Sequence, residues 1–225
     1  MHKEIKTPFG FILPQVSLFP ILYLLFIYGF VYILPYGRDL IGISWFDWLR
    51  SEDGPLEWIQ FIEYAISSIL ALLIYVRTKR KKNINSIIWL LIALFSFVIA
   101  GEEISWGERI TGIGINSISD INVQGETNFH NLPFFHNYLL DPIFEISCIF
   151  LGWFGWRKFK NIKAFPSKDL SLYFLFVALF YFYFDLSWAS TTQQIRNDQE
   201  IFEFLLSTGI FLHCFKNCKK LDFVG

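Results

Sequence analysis

Cysteine, net charge and catalytic signatures are all scarce in this chain, and each shortage closes off a class of function. There are three cysteines, Cys148, Cys214 and Cys218. They form no CxxC pair and no disulfide framework, and Cys214 and Cys218 at i,i+4 lack the further ligands a metal site requires. The formal net charge is −1, so there is no global attraction to nucleic acid. HExxH, ExxH and DxD are absent, which removes the zincin pattern and the paired ExxH of di-iron bundles. No Gly-x-Ser-x-Gly nucleophile elbow occurs. The Gly-rich piece TGIGINS (111–117) lacks phosphate-loop spacing. No internal repeat is visible and no linker divides the chain, which reads as one domain over 1–225.

What the chain has in abundance is apolar and aromatic side chains. Of its 225 residues 54% are hydrophobic, including 27 Phe, 10 Tyr and 8 Trp, a composition that places it in the membrane class. A bilayer core needs about 20 apolar residues per helix. Six stretches meet this, at roughly 14–36, 56–77, 86–105, 135–156, 169–188 and 199–216. The expected fold is therefore all-α, a polytopic membrane bundle of six helices. The first run is too long for a signal-peptide core and no small-x-small cleavage site follows it, so it reads as a retained anchor.

Basic residues set the orientation. RTKRKKN (77–83) and RKFKNIKAFPSK (157–168), together with the two terminal segments, hold 15 of the 19 Lys and Arg. Arg38, Arg50, Arg109 and Arg196 lie in loops on the other side. Six spans with both termini cytoplasmic satisfy this pattern. The acids are distributed oppositely: 17 of 20 fall in the extracytoplasmic loops or within spans. Such a concentration points to a polar site on the extracytoplasmic face.

Two segments dominate that face. SWFDWLRSEDGPLEW (44–58) places Asp47, Glu52 and Asp53 before a Gly-Pro turn. One reading is a favourable charge at a helix N-terminus with Trp45, Trp48 and Trp58 as an interfacial belt. The other is a hard-cation site built from Asp47, Glu52 and Glu57. The second segment is GEEISWGERI (101–110), which closes the third span with Glu102 and Glu103. Adjacent helical residues diverge by about 100°, so one carboxylate is expected to face the bundle and the other its rim. Arg109 is placed to fold back and neutralise one of them. The loop after it, roughly 106–134, is the longest, and its end NVQGETNFHNLPFFHN (122–137) is rich in polar heads separated by apolar residues, which reads as a packed lid. It carries His130 and His136, the two histidines on this side.

The spans supply more acids. Glu63 lies about 9 Å deeper than Glu57 at 1.5 Å per residue, where a carboxylate must be protonated, paired or facing a cavity. Asp141 and Glu145 enter from the fourth span, Asp185 from the fifth, and Glu200 and Glu203, one turn apart, from the sixth. Five of six helices bring a carboxylate to one side.

GEEISWGERI followed by NVQGETNFHN resembles a family of bacterial multi-pass membrane proteins with the pattern EEISWGxR, a spacer, then NxQGExNxHN. The resemblance covers about 30 residues. It implies membership and a bacterial cytoplasmic membrane location, and no activity. FDWLRSED…LEW is more loosely similar to the segment before the second span of alkaline ceramidases, which would map Asp47, Trp48, Glu52 and Glu57 to a structural cation. Those enzymes have seven spans, a Ser-x-x-Phe-His motif and a His-x-x-x-His motif, all missing here. In the membrane CAAX-type proteases the EExxxR signature puts Arg where this chain has Gly107.

Three functions are compatible with these features. One is an intramembrane hydrolase or transferase acting on a lipid or lipid-linked substrate, with Glu102, Glu103, Arg109, His130, Glu200 and Glu203 as its catalytic set. A divalent metal held by Glu103, His130, His136 and Glu203 is the possible cofactor. The second is a cation- or proton-linked binding or transport protein using Glu63 and Glu145. The third is a structural membrane subunit. The lipid bilayer is the expected partner in all three.

Overall fold

The computed structural model describes residues 16–33, 43–51, 53–79, 84–123, 125–134, 140–185 and 198–222. Among them every regular element is helical. In chain order these are α1 (Phe19–Leu24), continued by a π-helical stretch Leu25–Ile33, α2 (Ile43–Leu49), α3 (Pro55–Thr78) and α4 (Ile84–Glu103). A left-handed turn then leads into the short α5 (Glu108–Thr111) and α6 (Asn116–Ser119). α7 (Leu140–Ile149) continues through a π-helical stretch Phe150–Gly155 into α8 (Trp156–Lys158), and α9 (Ser171–Asp185) and α10 (Gln199–Asp222) complete the chain. The sixth expected span ended at 216, whereas α10 runs one and a half turns further. The basic residues after 216 favour the negative end of its dipole, so the helix outlasts its apolar stretch.

α3 and α4 are long and apolar enough to cross a membrane, and they are the two such helices among the described residues. Their burial pattern is the reverse of a soluble amphipathic helix. Gln60, Tyr64, Ser67 and Ala71 of α3 point inward, while Ile62, Ile66, Ile69 and Leu72 are exposed. On α4, Ala93, Ser96 and Ala100 are buried, and Leu91, Leu94, Phe97 and Val98 face out. Small and polar groups inside with large apolar groups outside is the pattern a lipid solvent produces.

Contacts fix the relative directions. α3 and α4 are antiparallel, since Ser68 donates to the Ala93 carbonyl and Ser86 to the Thr78 carbonyl, both at 2.9 Å. α10 runs parallel to α3: Gln60 meets Glu200, and Glu63 meets Ser207 and Thr208. α9 is antiparallel to α10, tied by Tyr181 to Glu203 at one end and by Asp169, just before α9, to Lys216 at the other. α7 packs antiparallel on α9, with Phe144 stacked on Tyr181 at 5.4 Å and Gly152 set against Leu175. The first segment lines α10 through Tyr23 to the Ile201 carbonyl and Tyr28 to Asp198.

These directions put the ends of the helices in two camps. Glu57, Glu103, Glu203 and Asp198 share one end. Arg77, Lys168, Lys216 and Lys220 share the other. His213, at the second end as its position in the chain predicts, is a structural residue. Its Nε2–H donates to the Ala164 carbonyl (2.9 Å), Asn217 donates to its Nδ1 (3.2 Å), and its ring stacks on Trp89 at 5.0 Å.

Gly152 is where two backbones come closest. A Cβ added there would lie 2.8 Å from Leu175 Cγ and 3.0 Å from both the Leu175 nitrogen and the Ser171 carbonyl oxygen. Main-chain atoms of a packed helix cannot give way cheaply, so overpacking here costs about 1–3 kcal/mol. Gly152→Val is expected to lower the thermal midpoint of the detergent-purified protein by several degrees, while Gly29→Ala, where no atom lies within 4 Å of an added Cβ, leaves it within about a degree.

Candidate functional site

The end of α4 unwinds through three consecutive residues with positive φ: Ser105 (46°), Trp106 (53°) and Gly107 (94°). For the two non-glycine residues this left-handed conformation costs on the order of 1–3 kcal/mol each. It persists because each side chain is captured. Ser105 Oγ donates to Glu126 at 2.6 Å. The Trp106 indole N–H donates to Glu102, and its ring packs edge-on against Phe97 and Phe129. The ring also lies over Gly101, where an added Cβ would sit 3.0 Å from it. The turn reverses the chain and sends 108–123 and 125–134 back across the end of α4.

Glu102 and Glu103 diverge as expected. Glu102 faces the loop and anchors it: it accepts the Phe129 N–H (2.7 Å), the His130 N–H (2.9 Å) and the Trp106 indole, with His130 Nδ1 at 3.1 Å. Further bonds tie the loop across and within its two stretches. Glu108 accepts from the Thr127 N–H (2.7 Å), Thr127 Oγ1 accepts from the Ile115 N–H (2.7 Å), and Glu126 accepts from Asn128 (2.9 Å). Asn128, fully buried, takes a bond from Asn122 at 2.8 Å. GEEISWGERI and NVQGETNFHN are thus the two halves of one hydrogen-bonded lid.

Arg109 fastens this lid to the bundle. Its guanidinium lies 2.6 Å from Glu57, 3.1 Å from Glu126 and 2.9 Å from Asp53, and donates at 3.0 Å to the Glu103 carbonyl oxygen. The Asp53 contact is an ion pair whose geometry falls short of a hydrogen bond. Burial alone would lower the Arg109 pKa; Glu57, Glu126 and Asp53 more than reverse this and raise it, so the group stays charged. The expectation that Arg109 neutralises Glu102 or Glu103 is corrected: it forms ion pairs with neither. Glu102 is turned away into the lid, and Glu103 offers Arg109 its main-chain oxygen.

Beneath the lid the carboxylates gather. Glu103 lies within electrostatic range of Glu203, Glu200 and Glu57. Glu203 is held by the Tyr181 hydroxyl (2.5 Å) and Gln199 (2.7 Å), and Glu200 accepts from Gln60 at 2.8 Å. Gln60 is fully buried, and its Oε1 has no hydrogen-bond partner among the described residues. Glu63, one turn deeper, accepts from Ser207 (2.6 Å) and Thr208 (3.0 Å). The catalytic set read from the sequence therefore divides. Glu103, Glu200 and Glu203 come together, whereas Glu102 and His130 pair with each other in the lid and Arg109 bridges the two groups.

The cation sites fare differently. Asp47 pairs with Arg50 at 2.8 Å and Glu57 with Arg109, so guanidinium groups supply the positive charge expected of a metal. Glu52 and His136 lie outside the described residues, as do Arg38 and Arg196. Among the described residues no three His, Cys, Asp or Glu side chains are arranged to hold a metal ion.

Two tethers had no signal in the sequence. Arg50 and Asp198, 148 residues apart, form a buried pair at 2.5 Å that ties α2 to the start of α10, with Tyr28 donating to the same carboxylate. The second is Ser105 to Glu126, which joins the end of α4 to the far half of the lid, with Asn128 donating to the same carboxylate.

Glu102→Ala removes the acceptor for two main-chain N–H groups and the indole. Bonds to an ionised acceptor contribute about 1.5–3 kcal/mol each, and part of that is recovered by water at the rim. Hydrogen exchange of the amides at 127–131 is expected to accelerate at least about tenfold, with the interior of α3 unchanged. Equal acceleration in both regions would mean Glu102 supports the whole bundle rather than the lid.

No protein-family model, no curated protein and no solved structure matches this chain.

Proposed function

We propose that this chain is a six-span integral membrane protein of the bacterial cytoplasmic membrane, with both termini cytoplasmic. In this proposal it belongs to the multi-pass family whose EEISWGxR and NxQGExNxHN segments it resembles. Its activity would be acid/base chemistry, as a hydrolase or transferase, on a lipid or lipid-linked substrate at the extracytoplasmic end. The alternating directions of the helical segments and the basic residues gathered at one end support the topology.

The observation that carries the activity is the convergence of Glu57, Glu103, Glu200 and Glu203 from three helices under one lid. Carboxyl groups of like charge kept from water cannot all be ionised together, and a group that holds its proton is what a general acid needs. In this reading Glu103 and Glu203 are the working pair. One gives a proton to the leaving oxygen, and the other takes one from water or an acceptor hydroxyl. Tyr181 and Gln199 fix Glu203, Gln60 fixes Glu200, and Arg109 positions the lid through its ion pairs with Glu57 and Glu126. The lid's outer surface favours a substrate from the bilayer: Ile110, Ile113, Ile121 and Val123 are all more than half exposed, an apolar surface suited to the membrane interface.

A second reading, proton- or cation-linked binding, is favoured by Glu63, a deeper carboxylate bonded to two hydroxyls. Mutation separates the two. Glu103→Gln and Glu203→Gln are each expected to leave the thermal midpoint within a few degrees. Each should reduce turnover of extracytoplasmic lipid substrates by about 10²–10⁴-fold, while Glu63→Gln stays within a few-fold of wild type. If only Glu63→Gln abolishes function, and uptake then loses its pH dependence, the transport reading replaces this one. If all three unfold the protein, the acids serve as structure.

A further inference from the structure

The opposite end of the bundle holds a cavity of about 320 Å³ that the carboxylate site does not involve. It lies between the turn 156–168 and the last turns of α10. Lys160, Lys163, Lys168, Lys216 and Lys220 all line it, and among the described residues no carboxylate does. Lys216 is already satisfied, bonded to Asp169 at 2.9 Å and to Ser167 at 2.8 Å. The other four have no ion pair with any described residue. Lys220 is exposed, yet partial desolvation and then Lys216 and Lys163 push its pKa below the usual value, with Asp169 opposing. The rest of the lining is apolar: Trp156, Phe159, Ile162 and Phe165. The cavity therefore joins unneutralised positive charge to an aromatic wall, at the end where a membrane helix bundle meets the headgroups.

We infer that this cavity binds a phosphate ester, with the lysines around the phosphate and the aromatic wall beside its organic portion. Lysine is a mobile point charge, whereas arginine presents a rigid fork, so the site reads charge more than geometry. Basic pockets at the cytoplasmic ends of membrane helices suit anionic headgroups, each lysine contributing on the order of 1 kcal/mol of attraction. The same chemistry would also accept a soluble phosphate. The site lies about 20 Å along α10 from Glu203, counted at 1.5 Å per residue, so it stands or falls separately from the acid/base proposal.

The test is native mass spectrometry of the full chain in detergent, titrated with phosphatidic acid, with phosphatidylcholine of the same acyl chains, and with inorganic phosphate as competitor. Two variants of equal charge loss are compared. Lys160→Ala/Lys163→Ala/Lys220→Ala removes exposed cavity lysines, and Lys79→Ala/Lys158→Ala/Lys219→Ala removes lysines outside it. Phosphatidic acid is expected to bind at least about tenfold more tightly than phosphatidylcholine. The cavity variant should lose at least about tenfold in that affinity, and the control should stay within about twofold. Displacement by inorganic phosphate would assign the site to a soluble phosphate, and resistance to it would assign the site to a lipid headgroup. Equal binding of the two lipids, or equal losses in the two variants, would overturn the inference.

Discussion

One guanidinium holds the carboxylate-bearing end of the bundle together. Arg109 comes from the lid, yet its partners come from the turn before α3 (Asp53), from α3 itself (Glu57) and from the far half of the lid (Glu126). Its side chain is only 10% exposed and that of Glu57 only 8%. An ion pair this far from water draws little net stability from its charges. Removing one partner is nevertheless costly, because the other is left buried and uncompensated. Neutralisation of Glu57 by Arg109 also shapes the site beneath. It takes one carboxylate out of the cluster and leaves Glu103 near Glu200 and Glu203, whose donors among the described residues include Tyr181, Gln199 and Gln60.

The lid's conformation follows from that anchorage. The left-handed turn at Ser105–Gly107 is unfavourable in isolation. It is retained because the chain must double back within three residues of α4 for Arg109 to reach Glu57. Glu102 then collects the returning strand of the lid by its main-chain N–H groups. The loop has polar contacts on its inner side and large apolar side chains on its outer side. It thus repeats the inside-out arrangement of α3 and α4.

Much of this arrangement was legible in the sequence, for reasons that can be stated residue by residue. Pro55 at the first turn of α3, with Gly54 before it, marked the start of that helix to within a residue, because proline's missing N–H costs nothing there. The opposite outlooks of Glu102 and Glu103 followed from helical geometry alone. The nearness of Glu103 to Glu200 and Glu203 is what the helix directions give, since α4 runs against α3 and α10 runs with it. The partners of Arg109 did not follow. A long flexible side chain after an irregular turn can reach either neighbour in sequence or a distant element, and periodicity gives no information where φ is positive. The pairing of His130 with Glu102 was likewise not legible, because nothing in its sequence position distinguishes a ring facing Glu102 from one facing Glu103. Arg50–Asp198 was invisible for a simpler reason: a contact spanning 148 residues leaves no local pattern.

The claim on which the rest depends is that the Arg109–Glu57 pair couples the lid to the bundle. A double-mutant cycle tests it directly, comparing wild type, Arg109→Met, Glu57→Gln and the double variant by reversible unfolding in detergent. Each single change should destabilise by about 3–5 kcal/mol, and the double by much less than their sum, giving a coupling above about 2 kcal/mol. Additive effects, with coupling below about 0.5 kcal/mol, would contradict the account and leave the lid held by its hydrogen bonds alone.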